Sequence, residues 1–259
     1  MKSIFKSYLK FLYNSKNEHG VHSPFVFDLV TKCFYDKTIY PEYSILKKYR
    51  KSLLANKNFI EVTDFGAGSR VFKSDKRQVC KIAKTAGISS KRAKLLFRIV
   101  HYFQPNTILE IGTSLGLATS ALSFGNKNAK IITLEGCPET ANQCQSQFQN
   151  FNINNTKIVV TEFTNYFKSF NFQLSSFELI YFDGNHSKTA TLDYFERLLQ
   201  TITNDSVWIF DDIHWSSDME NAWEIIKNHE KVTVTIDTFQ WGIVFFRAEQ
   251  EKEHFVIRL

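Results

Sequence analysis

The feature that most restricts the fold of this 259-residue sequence lies after residue 107, where short apolar runs alternate with helical stretches. Runs near 107–111, 130–135, 157–162, 178–183, 206–211, 232–238 and 243–247 read as strands. Helical patterns fall near 115–124, 138–150, 187–200 and 216–229, and 164–173 is a weaker helix or loop. Strand–helix alternation predicts a parallel sheet with helices on both faces. The last two strands are separated by little more than Phe239, Gln240, Trp241 and Gly242, too few residues for a helical crossover, so they form an antiparallel hairpin. The expectation is an α/β, Rossmann-like, mostly parallel seven-stranded sheet with an antiparallel final strand, preceded by an N-terminal helical cap.

The sharpest local signal is the run from Thr107 through Leu109, Glu110, Ile111, Gly112, Thr113, Ser114, Leu115 and Gly116 to Ala118. A strand ends in a glycine, turns and enters a helix, which brings backbone close to a ligand beside free helical amides. The spacing Glu-x-Gly-x-x-x-Gly is neither the Gly-x-Gly-x-x-Gly of dinucleotide folds nor a phosphate loop ending in Gly-Lys-Ser/Thr. An acid in the turn repels a pyrophosphate and suits an ammonium. A second acid, Glu135, ends the next strand and is followed by Gly136; a carboxylate there can accept from both hydroxyls of a ribose.

An acid for an amine and an acid for a ribose describe S-adenosylmethionine better than NAD. Here the chain resembles the class I S-adenosylmethionine-dependent methyltransferases, whose final strand inserts antiparallel. The run Leu109 to Gly116 is most similar to the catechol and caffeoyl-CoA type O-methyltransferases. The resemblance implies that Glu110, Gly112, Thr113, Ser114 and Gly116 shape the cofactor's amino-acid end and that Glu135 and Gly136 hold its ribose. It places Glu162 and Phe163 at the adenine, with a core Phe beside a solvated Glu as the alternative.

Two further strands end in carboxylates, at Asp183 and at the pair Asp211 and Asp212. In an open parallel sheet the carboxyl ends of strands meet ligands, and so many acids call for a cation. The cofactor's sulfonium is one. The other is a divalent ion such as magnesium, which the resemblance implies at an Asp after the fourth strand and an Asp-Asn pair after the fifth; three oxygen ligands suit such an ion. This sequence has Asp212 in place of the Asn. It also has His186 where the family typically carries a Lys that helps deprotonate the acceptor hydroxyl, and a His serves as a general base near neutral pH. The catalytic candidates are therefore Asp183 and His186, with His214 as a further ligand or base.

Charge divides the chain. Residues 1–100 carry 21 Lys/Arg and 7 Asp/Glu, whereas residues 101–259 carry 11 and 19, and the net charge is +6. The boundary is expected near residue 85, with a basic cap over 1–85 and the methyltransferase domain over 86–259. In the cap, Ile4, Phe5, Tyr8, Leu9 and Leu12 form a helical stripe expected to pack on the protein's own core, a membrane-surface helix being the alternative. Ser23-Pro24 opens a helix, and His19, His22 and Phe25 either line the acceptor pocket or form a helix-capping turn. A second glycine run, Asp64 to Ser69, lacks a following apolar helix and reads as a gate over the pocket rather than the cofactor loop. Four Cys without paired spacing argue against zinc and for free thiols. No apolar run is long enough to span a membrane and no secretory signal is present, so the expected location is cytoplasmic.

The expected activity is methyl transfer from S-adenosylmethionine to a hydroxyl of a small-molecule acceptor, which the basic cap suggests is anionic. Two alternatives stay open: a nucleic-acid methyltransferase using the basic region, though no Asn/Asp-Pro-Pro-Tyr/Phe motif is present, and a non-catalytic cofactor-binding protein. A homodimer also stays open.

Overall fold

The computed structural model describes residues 2–63, 72, 74–169 and 176–259. The chain divides into two compact units, one formed by 1–35 with 169–259 and the other by 36–168. Residue 85 lies inside the second of these. The run Asp64 to Ser69 is outside the described residues.

The first unit begins with helices α1 (Lys2–Asn14) and α2 (Pro24–Leu29). In α2 the sequence signal is realised: Ser23 Oγ accepts from the Val26 amide at 3.4 Å and Pro24 takes the first helical position. In α1 the expected stripe is corrected. Phe5 is 64 % exposed and Leu9 50 %, while Phe11 is 6 % exposed and packs at a tilt against Phe239, which Tyr8 meets edge-on. The apolar residues cover more than half of the helix circumference, so the pattern does not say which arc faces inward; a ring at Phe239 selects the arc around Phe11.

The second unit opens with α3 (Glu42–Ala55), the short antiparallel pair β1 (Phe59–Glu61) and β2 (Lys76–Gln78), α4 (Val79–Thr85) and α5 (Ser90–Phe103). Ser89 caps α5 through the Arg92 amide. The glycine loop then lies between β3 (Thr107–Ile111) and α6 (Leu117–Gly125), followed by β4 (Lys130–Glu135), α7 (Pro138–Asn150), β5 (Thr156–Val160) and α8 (Phe163–Ser169). Strands β3, β4 and β5 are parallel, with Ile111 opposite Leu134 and Glu135 opposite Val160. All nine residues of α6 are buried, packed between the sheet and the helices α3 and α5. The Tyr49 hydroxyl of α3 donates to the Leu115 carbonyl at 2.9 Å and so ties the preceding helical segment to the glycine loop.

The rest of the first unit contains β6 (Leu179–Phe182), α9 (Lys188–Leu198), β7 (Val207–Asp211), α10 (Ser217–Asn228), β8 (Val234–Asp237), β9 (Trp241–Phe245) and β10 (Glu253–Val256). The strand order within this unit is β10-β8-β9-β7-β6, and β9 alone runs antiparallel to its neighbours. The hairpin expected from the short 239–242 connection is present, with the connection at 238–240. The final strand, however, is β10, parallel to β8, which adds an eighth strand beyond the seven expected. Strands β6, β7 and β9 are buried throughout, as near-continuous apolar runs require. Gly242 lets the Trp223 ring lie on β9: a Cβ there would stand 2.5 Å from that ring. Among the described residues no helix is long and apolar enough to cross a membrane.

Candidate active site

The loop between β3 and α6 has the backbone its glycines anticipate. Gly112 has φ 102°, Ser114 φ 48° and Gly116 φ 74°, three left-handed residues within five positions. Gly112 and Thr113 both donate to the Leu134 carbonyl, at 3.1 and 3.0 Å, which extends the β3–β4 pairing into the turn. Gly116 is the N-cap of α6 and supplies no side-chain cap. Gly116 is required by packing as well as by φ, because a Cβ would stand 2.6 Å from Cys144 Sγ and Tyr49 Oη and 2.7 Å from Phe148. It marks close helix packing at the start of α6.

Glu110 is fully buried. Its Oε2 accepts from Thr119 Oγ1 and Thr133 Oγ1, both at 2.5 Å, and Thr113 Oγ1 lies 2.6 Å from Thr133 Oγ1. Its Oε1 is buried without a hydrogen-bond partner. Burial pushes the carboxyl up to about 8, the two threonine hydroxyls pull against it, and Glu135 adds a like charge. At pH 7 this is largely a neutral acid short of one polar contact. Sequence reasoning missed Thr119 and Thr133; they lie 9 and 23 residues away, and only the packing of α6 and β4 brings them in.

Glu135 is half-buried and held by main chain. Its Oε2 accepts from the Ser114 amide at 2.8 Å and its Oε1 from the Cys137 amide at 2.9 Å, so the left-handed Ser114 and the turn at Gly136 both serve to orient it. A carboxylate has about four acceptor sites, so two amides are compatible with further acceptance from a diol. Beyond β5, Glu162 is exposed and its carbonyl receives the first amides of α8, and Phe163 is half-buried at the start of that helix.

In the other unit, the His186 Nε2 lies 3.6 Å from Asp183 Oδ1, an ion-pair distance longer than a hydrogen bond. The imidazole tilts against Trp215 with centroids 6.0 Å apart, and Asn185 before it is left-handed at φ 49°. Asp211 is turned inward: Tyr181 Oη donates to its Oδ2 at 2.9 Å and the Asp212 amide to its Oδ1 at 2.7 Å. Asp212 itself is left-handed at φ 54°. The metal candidates Asp183, Asp211 and Asp212 are not brought together as a three-carboxylate site. Among the described residues no group of three His, Cys, Asp or Glu side chains is placed to hold a metal ion. A strand-end position fixes where each Cα lies, whereas the left-handed turn at Asp212 and the Tyr181 hydroxyl decide where the oxygens go.

His214 is engaged elsewhere. Its ring nitrogens reach Asp237 Oδ2 at 2.8 Å and Glu220 Oε1 at 3.1 Å, and it stacks on Phe239 with centroids 5.2 Å apart. Burial lowers its pKa, but Asp237 and Glu220 outweigh that and hold it above the ordinary value. Phe25 meets Phe245 edge-on at 5.0 Å and lies under the Arg247 guanidinium at 4.7 Å, while His19 and His22 are exposed.

Residues 109–213 match a family model described as a methyltransferase domain. Over that stretch the chain is similar to methyltransferase domains. This domain match begins in β3, takes in the glycine loop, Glu135, Asp183, His186, Asp211 and Asp212, and ends two residues after β7. No curated protein matches the sequence. Solved structures do. An O-methyltransferase from Bacillus cereus in complex with SAH is 17% identical at TM-score 0.55, covering 82% of this chain and 92% of that one. An SAH-bound Podospora anserina methyltransferase is 13% identical at TM-score 0.60, covering 88% and 97%. The O-methyltransferase TomG from Streptomyces achromogenes, in complex with SAM, is 14% identical at TM-score 0.57, covering 82% and 92%. These likenesses show that the chain shares the fold of these methyltransferase structures over most of its length.

Proposed function

We propose that this methyltransferase takes the methyl group of S-adenosylmethionine to a hydroxyl of a small-molecule acceptor. The observation that carries the reading is the pair of strand-end carboxylates. Glu135 is oriented by two amides to accept from a ribose diol, and Glu110 is a buried acid with one oxygen unpartnered. Structures of similar fold bound to the cofactor or its product support it. Glu135 and Gly136 hold the ribose; Gly112, Thr113, Ser114 and Gly116 shape the cofactor's amino-acid end with Glu110. An ammonium supplies the donor that Glu110 Oε1 lacks and the positive charge that favours its ionised form. Glu162 and Phe163 contact the adenine.

Held by Glu110 and Glu135, the cofactor would supply an electrophilic methyl carbon on a sulfonium, whose sulfur would keep the electron pair of the carbon–sulfur bond as the methyl group passed to the acceptor oxygen. The reading assigns removal of the hydroxyl proton to His186 Nε2, with Asp183 stabilising the imidazolium that forms. No step is routed through a metal.

Calorimetry with S-adenosylhomocysteine tests the proposal. Wild-type protein binds it, and Glu135→Ala weakens binding about 100-fold, the loss of two hydrogen bonds to a charged acceptor. Absence of binding to wild type overturns the reading. Methyl transfer to catechol-type acceptors then separates catalysis from cofactor binding alone, and a low-salt RNA gel shift with RNA-dependent methyl transfer would replace the small-molecule acceptor with a nucleic acid.

A further inference from the structure

The helices before β3 enclose a cavity that the proposed reaction does not use. It lies among α3, α5 and α6 within the 36–168 unit and has a volume of about 300 Å³, the lower end of the range for small-molecule sites. Its lining divides by chemistry. Leu46, Ile88 and Leu117 are buried and form an apolar floor. Lys47, Arg50 and Lys94 bring three positive charges to the same cavity, and no lining residue is acidic.

Two of these cations are positioned without being neutralised. Arg50 Nη1 donates to the Ile88 carbonyl, a neutral acceptor. The Lys94 ammonium sits 4.9 Å from the centre of the Tyr43 ring, which also lines the cavity. Among the described residues no carboxylate pairs with Lys47, Arg50 or Lys94. Three unneutralised cations around one apolar cavity are mutually repulsive, and an anion relieves that repulsion while its apolar part covers the floor.

We propose that this cavity is a binding site for a small organic anion, with a carboxylate or phosphate head and an apolar body. Arg50, Lys47 and Lys94 take the head; Leu46, Ile88 and Leu117 take the body. The site is separate from the proposed cofactor site, because none of Glu110, residues 112–116 and Glu135 lines it, and it stands whether or not that reading does. It does touch the cofactor loop's support: Leu117 is the first residue of α6, next to Gly116. It also gives the charge division of the sequence a specific location, since every one of its cations comes from the basic first 100 residues.

Calorimetry of the full chain with octanoate, octyl phosphate, 1-octanol and inorganic phosphate tests this. Octanoate, octyl phosphate or both bind saturably at one site, while octanol, lacking charge, and inorganic phosphate, lacking a body, bind at least about tenfold more weakly. Lys47 and Lys94 are exposed, so Lys47→Glu with Lys94→Glu folds and weakens the anionic amphiphiles by about tenfold or more. The relative affinities of the two amphiphiles decide between carboxylate and phosphate. No saturable binding of either, equal affinity for octanol or for inorganic phosphate, or unchanged binding to the double variant overturns the proposal.

Discussion

Glu110 and Asp211 occupy comparable places, each a buried carboxylate at the end of a parallel strand, one in each unit. Their surroundings differ in one respect. Asp211 has a donor on each oxygen, Tyr181 on one and the Asp212 amide on the other. Glu110 has two donors on Oε2 and none on Oε1. A buried polar atom without a partner costs about 1–3 kcal/mol, so a fold retains one only where something offsets it. Asp211 is thus part of the architecture, and Glu110 is an acid waiting for a donor.

The largest expected consequence is in pH. The Glu110 carboxyl holds its proton to about 8 in the folded chain, against 4.5 ordinarily. Between those values the folded state carries the extra proton, so raising the pH favours unfolding. This group's stabilisation is complete below about pH 4.5 and is lost as pH rises through about 8, on the order of 5 kcal/mol in all. Urea unfolding across pH 5 to 9 should show this slope in wild type and lose most of it in Glu110→Gln. Parallel curves would mean that Glu110 is ionised and that the contrast with Asp211 is false.

At pH 7 the same comparison is sharpened by amide substitutions. Asp211→Asn turns an acceptor into a donor facing either Tyr181 or the Asp212 amide and should cost about 2 kcal/mol. Glu110→Gln replaces an acid that is already largely neutral and should cost less than about 1 kcal/mol. Tyr181→Phe, which removes one donor from Asp211, should fall near 1 kcal/mol and leave S-adenosylhomocysteine binding unchanged. The smallest effect concerns His214. Its folded value is raised by Asp237 and Glu220, so its contribution is present below the ordinary 6.5 and lost as pH rises through the folded value. Imidazole NMR titration should show the raised value in wild type and a lower one in Asp237→Asn.

Seven strands and the helices after residue 107 were legible because buried parallel strands are unbroken apolar runs and Ser216, Ser187 and Pro138 mark helix starts. Strand β10 was not, because Glu253 and His254 are exposed and leave only Phe255 buried and Val256 partly covered. In the candidate site, the positions of Glu110, Glu135 and Asp183 followed from strand ends. Their partners did not: Thr119, Thr133 and Tyr181 are ordinary residues until packing aims their hydroxyls. The triad of Asp183, Asp211 and Asp212 failed for the same reason, since a motif gives residue types in order but not the rotation of a left-handed Asp212.

The hydrogen bond from Tyr49 to the Leu115 carbonyl has a consequence for where such a domain can be cut. The recognisable stretch begins at residue 109, yet Gly116 is packed under a tyrosine 60 positions upstream of that start. A gene fragment trimmed to the recognisable stretch would encode a loop with one wall missing. The unit that can stand intact is therefore longer than the recognisable stretch, and the helix that carries Tyr49 belongs to its fold.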